Sequence, residues 1–153
     1  MTTLEQDIGC EVDSDEAAVR ENVRNYCQRY SISPEFPISD VTKINESWPF
    51  GDSPGCYLFY DENMGLLYIG KASNKNVIAG RVYSYFRTQG LDQLEPRHAW
   101  LRPPRYIQTI KVHKAYEAPS LEEFLIRRLK PITNVIRGED VATSSDEQMF
   151  GAE

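Results

Sequence analysis

The apolar residues in the first third of the chain recur at steps of three and four positions, the spacing of one helical face. A helix is therefore predicted from about Asp13, and Asp13 with Glu16 has the spacing of a capping box. Its apolar stripe consists of Val19, Val23, Tyr26 and Tyr30. The segment SISPEFPISD that follows contains two prolines, which end the helix and form a connector. We expect residues 13–49 to form this helix and connector, preceded by a mobile acidic arm over residues 1–12.

A second helical pattern lies near the other end of the chain, from about Ser120 to Lys130. Its buried stripe consists of Leu121, Phe124, Leu125 and Leu129. Pro131 stops this helix, because proline lacks the amide hydrogen that a helix interior needs. Ser120 and Glu123 have the S-x-x-E spacing of a capping box. The neighbouring Glu122 is therefore not needed as a cap and is predicted to point elsewhere.

Residues that favour strands form three short runs between these helices. The predicted strands are residues 57–60, 66–69 and 105–113. The first two are separated by the polar and glycine-containing residues 61–65, a pattern typical of a β-hairpin with a five-residue loop.

The segment between the hairpin and the third strand has two parts. Residues 77–89 have helical spacing and are followed by Gly90, which can terminate a helix. Residues 93–105 are rich in proline and arginine, which indicates a loop. These elements predict an α+β domain over residues 50–137, with a small, three-stranded, mainly antiparallel sheet flanked by helices. The N-terminal helix is an addition to it, and residues 138–153 are predicted to be a disordered acidic tail.

Charge is distributed unevenly along the chain, whose formal net charge is −6. Residues 1–49 carry 4 Lys/Arg and 10 Asp/Glu, and residues 138–153 carry 5 acidic residues. Residues 50–137 carry 13 Lys/Arg and 8 Asp/Glu. A basic middle between acidic ends fits the binding of a polyanion, because Lys and Arg displace counterions from phosphates. We expect the acidic ends to restrain nonspecific binding.

The cysteines and the apolar runs bear on location. Cys10, Cys27 and Cys56 fit neither a disulfide framework nor a zinc pattern, so free thiols in a reducing compartment are predicted. The N-terminal residues lack a signal-peptide pattern, and no run approaches the roughly 18 apolar residues of a membrane span. The sequence predicts a cytoplasmic protein that does not bind a membrane.

Two tyrosines, Tyr57 and Tyr68, stand on the two strands of the predicted hairpin. Aromatic residues commonly pack across a hairpin, and this is the structural alternative to a functional role. Gly55 precedes the first strand, and Gly70 and Lys71 follow the second. Glycine at such a position permits the close approach of a ligand phosphate.

Three further residues carry suitable chemistry. Arg81 and Tyr85 are four positions apart on the predicted middle helix, so they share a face and can address one phosphate. A solvent-facing arginine beside a half-buried tyrosine is the structural alternative. Glu122 lies in the first turn of the predicted last helix, where carboxylates also stabilise the helix dipole. A carboxylate oxygen is equally a suitable ligand for Mg²⁺ or Mn²⁺.

These residues together resemble a known family. Gly55-Cys56-Tyr57 and Tyr68-Ile69-Gly70-Lys71 resemble the two-part signature of the GIY-YIG nucleases, with cysteine in place of the usual middle isoleucine. Further positions similar to that family follow in its order, at Arg81, Tyr85, Glu122 and Asn134. The resemblance covers roughly residues 54–137, and its last part is most similar to the N-terminal nuclease domain of the bacterial excision-repair endonuclease.

The resemblance implies an endonuclease that hydrolyses DNA with a single divalent metal. Glu122 would hold Mg²⁺ or Mn²⁺, and either Tyr68 or Tyr57 would orient or deprotonate the attacking water. Lys71, three residues after Tyr68, would supply a cation that helps the phenol to act as a base. Arg81 would stabilise charge in the transition state.

The remaining predicted roles concern positioning and substrate contacts. Tyr85 would position the phosphate or water, and Asn134 would support the site. The predicted substrate-binding residues are Gly70, His98, Arg102 and Arg105. The expected substrate is DNA, branched or damaged, and RNA stays open. The alternatives are a catalytically silent nucleic-acid-binding module of the same fold and an interaction protein whose N-terminal helix docks a larger complex. For the endonuclease, either a protein partner for targeting or cutting directed by DNA structure is expected.

Overall fold

A computed structural model describes residues 14–87, 94–97 and 100–136 of the chain. The predicted arm and tail, the capping residue Asp13 and the predicted contact His98 lie outside the described residues. The helices are α1 (Ser14–Arg29), α2 (Ile78–Tyr83), α3 (Glu117–Leu129) and α4 (Ile132–Ile136). The strands are β1 (Thr42–Lys43), β2 (Gly55–Tyr60), β3 (Leu66–Ala72), β4 (Phe86–Arg87), β5 (Glu95–Pro96) and β6 (Tyr106–Lys111). No helix in the described ranges is long and apolar enough to span a membrane.

The centre of the fold is a sheet with the strand order β1-β6-β2-β3, in which every neighbouring pair is antiparallel. The predicted hairpin is confirmed, since β2 and β3 pair around residues 61–65. Asp61 holds this loop, because its Oδ1 accepts hydrogen bonds of 2.9 Å from the amides of both Asn63 and Gly65. A side chain that satisfies nearby amides in this way stabilises a tight turn.

The α+β class is confirmed, but the strand count of three is wrong. The connector before the hairpin contributes β1, whose two residues pair with the start of β6. A separate two-stranded ribbon, β4 with β5, lies where a helix end and a loop were predicted. Strands of two residues carry too little alternation to be recognised from sequence.

The middle helix is shorter than the predicted residues 77–89. It ends at Tyr83, where the amide of Ser84 donates to the carbonyl of Arg81 and the amide of Tyr85 donates to the carbonyl of Val82. The chain then leaves the helical path, which turns Tyr85 into the protein interior. Arg81 and Tyr85 therefore do not share a helical face, although both belong to the same region of the molecule.

The last helix begins earlier than predicted, and the capping box at Ser120 and Glu123 is wrong. α3 starts at Glu117, whose Oε1 accepts a 2.7 Å hydrogen bond from the amide of Lys114. Pro119 stands in the first turn, where proline displaces no helical hydrogen bond. Ser120 instead accepts a 2.7 Å hydrogen bond from the hydroxyl of Tyr26 in α1.

The sheet has two differently covered faces, because successive side chains of a strand point to opposite sides. We call the side that packs against α1 and α3 the α1/α3 face; it carries Cys56, Leu58, Tyr60 and Ile69. The opposite side, covered by α2, is the α2 face; it carries Tyr57, Phe59, Tyr68 and Ile107. α1 contributes Val19, Val23 and Tyr26 to the core of the first face. Tyr30 was predicted to continue that stripe, but it follows the helix end and is 54% exposed.

Candidate active site

Three tyrosine hydroxyls meet on the α2 face. Tyr57 comes from β2, Tyr68 from β3 and Tyr85 from the turn after α2, and their side chains are 1%, 5% and 7% exposed. The hydroxyl of Tyr85 lies 2.9 Å from that of Tyr57 and 3.2 Å from that of Tyr68. The sheet register and the early end of α2 together produce this chain of phenols.

The hydrogen bonds that join the three phenols have a direction. Tyr85 donates to Tyr68, and a phenol has only one hydrogen to donate. Tyr57 is then the donor in its bond with Tyr85. The Tyr68 oxygen is thus the accepting end of the chain, and a hydrogen bond received by a phenol oxygen favours its ionised form.

Gly70 lies directly beneath the ring of Tyr57. The two residues are register partners on β3 and β2, and a Cβ atom at Gly70 would overlap the ring and hydroxyl of Tyr57. Glycine at this position therefore allows the Tyr57 ring to lie flat across β3 and reach Tyr85. Its clearest role here is to make room for a protein side chain, whereas a substrate contact was predicted.

Arg81 brings a positive charge to the phenols. It lies on α2, is half-buried, and interacts with Tyr57, Tyr85 and Tyr68. Burial acts to lower the pKa of the guanidinium, but the phenols, with Tyr57 first and through a hydrogen bond, outweigh it and raise that pKa. The group is a permanent cation beside three hydroxyls, which suits an anionic ligand.

The hydroxyl of Tyr57 resists ionisation. Burial raises its pKa well above the ordinary value, and Tyr85, by its charge and its hydrogen bond, adds to the rise, as does Glu122. Arg81 acts in the opposite direction. Tyr57 is therefore a neutral hydrogen-bonding group at neutral pH.

Glu122 reaches this region from α3. Its side chain is half-buried, and its carboxylate contributes to the raised pKa of Tyr57 and, after burial, to that of Cys56. The described residues contain no group of three or more His, Cys, Asp or Glu side chains that could hold a metal. A lone carboxylate still fits Mg²⁺, which commonly binds through one or two carboxylates together with water and substrate phosphates.

Asn134 holds the edge of β3. Its Oδ1 accepts a 2.8 Å hydrogen bond from the amide of Ile69, and its Nδ2 donates to the Ile69 carbonyl at 3.1 Å. The side chain is fully buried in α4 and pairs with the backbone as a neighbouring strand would. Because Ile69 lies between Tyr68 and Gly70, Asn134 positions the strand that carries both.

Lys71 lies on the opposite side of the sheet from Tyr68. It is the register partner of Cys56, and Cys56 belongs to the core of the α1/α3 face. Residues three apart on a strand point to opposite faces. The prediction that Lys71 assists Tyr68 as a neighbouring cation is not supported, since Arg81 is the cation on the side of the phenols.

The predicted contacts Arg102 and Arg105 lie at the hairpin-loop end of the sheet, beyond the level of Tyr57. Arg102 donates from Nε to Oδ2 of Asp61 at 3.1 Å and so ties the hairpin loop to the segment before β6. Arg105 bonds through its amide to the carbonyl of Tyr60. Tyr57 faces Thr109 in the register, so Arg105 is about 13 Å further along the strand at roughly 3.3 Å per residue.

Trp100 belongs to the site, although its sequence context indicated only a loop. Its ring lies 5.8 Å from Phe59, 5.8 Å from Tyr68 and 6.1 Å from Tyr85, measured between centroids. It covers the accepting end of the phenol chain. The only sequence signal was a large aromatic residue among prolines and arginines.

The chain resembles known proteins over this region. Residues 53–135 match the family of UvrC-like GIY-YIG domains. The UvrABC system protein C of Nautilia profundicola is 39% identical over 93 residues, which cover 58% of this chain and 15% of that protein. The protein of the same name from Carboxydothermus hydrogenoformans is 38% identical over 90 residues. These residues cover 58% of this chain and 14% of that protein. The UvrABC system protein C of Helicobacter pylori P12 is 33% identical over 96 residues, which cover 58% of this chain and 16% of that protein. The chain thus matches about one-seventh of the length of these relatives.

Proposed function

The chain belongs to the UvrC-like GIY-YIG domain family, and we propose that it is an endonuclease that hydrolyses phosphodiester bonds in DNA with the help of one divalent metal ion. The observation that carries the proposal is the chain of three phenols with Arg81 on the α2 face. A buried hydroxyl chain beside a fixed cation supplies both a proton acceptor and an anion-binding group. These are the two functions that attack of water on a phosphodiester requires.

Tyr68 is the proposed proton acceptor. It receives the hydrogen bond from Tyr85, which favours the ionised phenol. Once its own proton has passed to solvent, the Tyr68 oxygen would take a proton from the attacking water and become neutral, while the water oxygen bonds to phosphorus and the bond to the leaving oxygen breaks. Tyr57 stays neutral because its pKa is raised by burial first and by Tyr85 next. In this arrangement Tyr57 and Tyr85 orient and stabilise Tyr68, and they do not take the proton themselves.

Arg81 is the proposed electrostatic stabiliser. Its guanidinium offers several N–H donors in a plane that matches phosphate oxygens. Because the side chain is held among the phenols, little reorganisation is required when negative charge develops on the phosphate. Donors arranged in advance contribute more to catalysis than donors that must first be ordered.

Glu122 would hold Mg²⁺ or Mn²⁺, which when bound polarises the phosphate and stabilises the departing oxygen. The carboxylate is a hard oxygen donor and is close enough to affect the pKa of Tyr57. Asn134 keeps the strand of Tyr68 in place through both of its bonds to Ile69.

The proposal extends to substrate and location. The relatives are proteins of the UvrABC system, and a DNA substrate is proposed on that likeness and on the basic excess of residues 50–137. A targeting partner and a cytoplasmic location stay predictions. A panel of duplex, flap, single-stranded DNA and RNA substrates would identify the preferred one.

The test is cleavage of plasmid and flap DNA with Mg²⁺ or Mn²⁺ by the wild type, Glu122→Ala and Glu123→Ala. Glu123 is a matched control because it is the adjacent carboxylate, is exposed, and pairs with Arg127 at 3.2 Å. Glu122→Ala should lose at least about 100-fold in rate, since the metal contributes several kcal/mol, while Glu123→Ala should cut normally. Equal cutting by all three proteins would contradict the mechanism.

A second candidate function is DNA binding without cleavage, for which the basic excess of residues 50–137 is sufficient without a metal or a base. DNA retention at low salt, with no cleavage of any substrate in the panel and no dependence on Glu122, would favour it.

A further inference from the structure

Two aromatic side chains form an exposed pair beside the phenols. Trp48 from the connector and Tyr83 from α2 have ring centroids 4.9 Å apart at an interplanar angle of 80°. Tyr83 is 48% exposed and Trp48 is half-buried. Trp48 lies outside the matched residues 53–135, so it is not part of the segment that carries the family resemblance.

The orientation of this pair is fixed by the protein. Nε1 of Trp48 donates a 2.6 Å hydrogen bond to the carbonyl of Ile44, so the one polar atom of the indole is already satisfied. Trp48 also packs against the core of the α2 face. A ring that is ordered before a ligand arrives loses little entropy on binding.

The backbone that follows Trp48 lies at the same level of the sheet as Tyr57. Thr109 is the register partner of Tyr57, and its Oγ1 donates a 2.6 Å hydrogen bond to the carbonyl of Pro49, the residue after Trp48. Gly51, two residues after Pro49, accepts a 2.9 Å bond from the amide of Ala79 in α2. The segment after Trp48 therefore lies on the β6 side of the phenols, and Tyr83 lies on α2, two residues after Arg81.

We propose that Trp48 and Tyr83 form a stacking platform for one unpaired nucleobase of the DNA strand whose phosphate Arg81 binds. Exposed aromatic rings stack on bases of any sequence, and a neighbouring cation binds the backbone. The inference rests on the proposed function and adds a substrate class to it: DNA with unpaired nucleotides near the cut, such as a flap or a branch. Paired bases in the interior of a duplex are stacked on both sides and cannot offer their faces to the platform.

The test measures binding in EDTA, so that no strand is cut, by fluorescence anisotropy of three labelled DNAs. One carries a flap of unpaired thymidines, the second carries the same flap with abasic nucleotides, and the third is a flush duplex. The variants are Trp48→Ala, Tyr83→Ala and the conservative Trp48→Phe, with Tyr116→Ala as the matched control. Tyr116 is 72% exposed and lies at the start of α3.

Trp48→Ala and Tyr83→Ala should each weaken binding of the thymidine flap about tenfold, as stacking of one base commonly contributes. Trp48→Phe should recover most of the loss, and Tyr116→Ala should bind as the wild type does. The abasic flap and the flush duplex should not distinguish the variants from the wild type. Thermal melts establish that each variant is folded, and Tyr83, being exposed, provides a variant that does not depend on core packing.

Equal losses on the thymidine and abasic flaps, or no loss on either, would overturn the platform. These outcomes are separate from failure of the nuclease proposal. If cleavage depends on Glu122 but Trp48→Ala and Tyr83→Ala do not weaken binding of the thymidine flap selectively, the platform alone is overturned. Base-selective binding without cleavage of any substrate would support the platform and overturn the nuclease.

Discussion

The two faces of one small sheet differ in what they bury. The α1/α3 face is packed mainly with aliphatic side chains and thiols, among them Leu58, Ile69, Leu121 and Leu125. The α2 face is a layer of aromatic rings in which three phenols bond to each other beside Arg81. Neighbouring residues of β2 and β3 therefore have different roles, because successive side chains of a strand point to opposite faces of the sheet.

The difference shows how a thin domain separates folding from chemistry. Apolar burial is the main favourable contribution to folding, and the α1/α3 face concentrates it between the sheet and two long helices. The α2 face keeps polar hydroxyls out of water, which is tolerated because they are hydrogen-bonded to each other. We expect damage to the first face to reduce stability and damage to the second to reduce activity.

The largest expected effect on stability follows from truncating the α1/α3 face. Leu125→Ala removes a fully buried side chain of α3, and such a change commonly costs about 2–5 kcal/mol in the free energy of unfolding. Urea denaturation measures the loss. The rate of DNA cleavage per folded molecule should stay at the wild-type value. A loss of cleavage without a loss of stability would contradict the separation of the two faces.

A smaller effect is expected at alkaline pH. Burial, as the first cause, raises the pKa of Cys27 and Cys56, both in the α1/α3 core. A thiol with a raised pKa in the folded protein keeps its proton while the unfolded chain loses it, so stability is complete below about pH 8.5 and falls as pH rises above that value. Tyr57 and Tyr60, whose pKa values burial also raises, extend the fall above about pH 10.

Urea denaturation at several pH values between about 7 and 11 measures this decline. Replacing both Cys27 and Cys56 with alanine should remove the loss of stability that begins above about pH 8.5. The loss above about pH 10, to which tyrosines of both faces contribute, should remain. Stability that does not change over this range would contradict the burial of these groups.

Much of the α1/α3 face could be predicted from the sequence, because it depends on regular spacing. The stripe of α1, the stripe of α3 and the hairpin are periodic over many residues, and periodicity is the strongest local signal. The ends of these elements were harder to predict. α3 begins at Glu117, whose carboxylate accepts a hydrogen bond from the amide of Lys114, and Tyr30 lies outside α1; both helix ends depend on a few local contacts.

Less of the candidate site could be predicted, because its geometry depends on contacts between distant residues. The meeting of Tyr57, Tyr68 and Tyr85 requires α2 to end at Tyr83, which the continuous apolar spacing of residues 77–89 does not indicate. Lys71 lies on the α1/α3 face of the sheet because β3 extends to Ala72, whereas the predicted strand ended at Ile69. The pairing of Arg102 with Asp61 joins residues 41 positions apart, which no local pattern predicts.

The most direct test compares two buried tyrosines on opposite faces of the sheet. Tyr68 accepts the hydrogen bond from Tyr85 on the α2 face, and Tyr60 donates a 2.7 Å bond to Oε1 of Gln108 on the α1/α3 face. Tyr68→Phe and Tyr60→Phe each remove one hydroxyl and keep the ring. Single-turnover cleavage of flap DNA with Mg²⁺, normalised to the folded fraction, is the measurement.

Tyr68→Phe should lose about 100-fold or more in rate, the contribution of a positioned base. Tyr60→Phe should keep the wild-type rate and lose about 1–3 kcal/mol of stability, because the buried Oε1 of Gln108 loses the hydrogen bond from Tyr60. Cleavage by Tyr68→Phe at the wild-type rate, or an equal loss of activity in both variants at the same folded fraction, would contradict the assignment of chemistry to the α2 face.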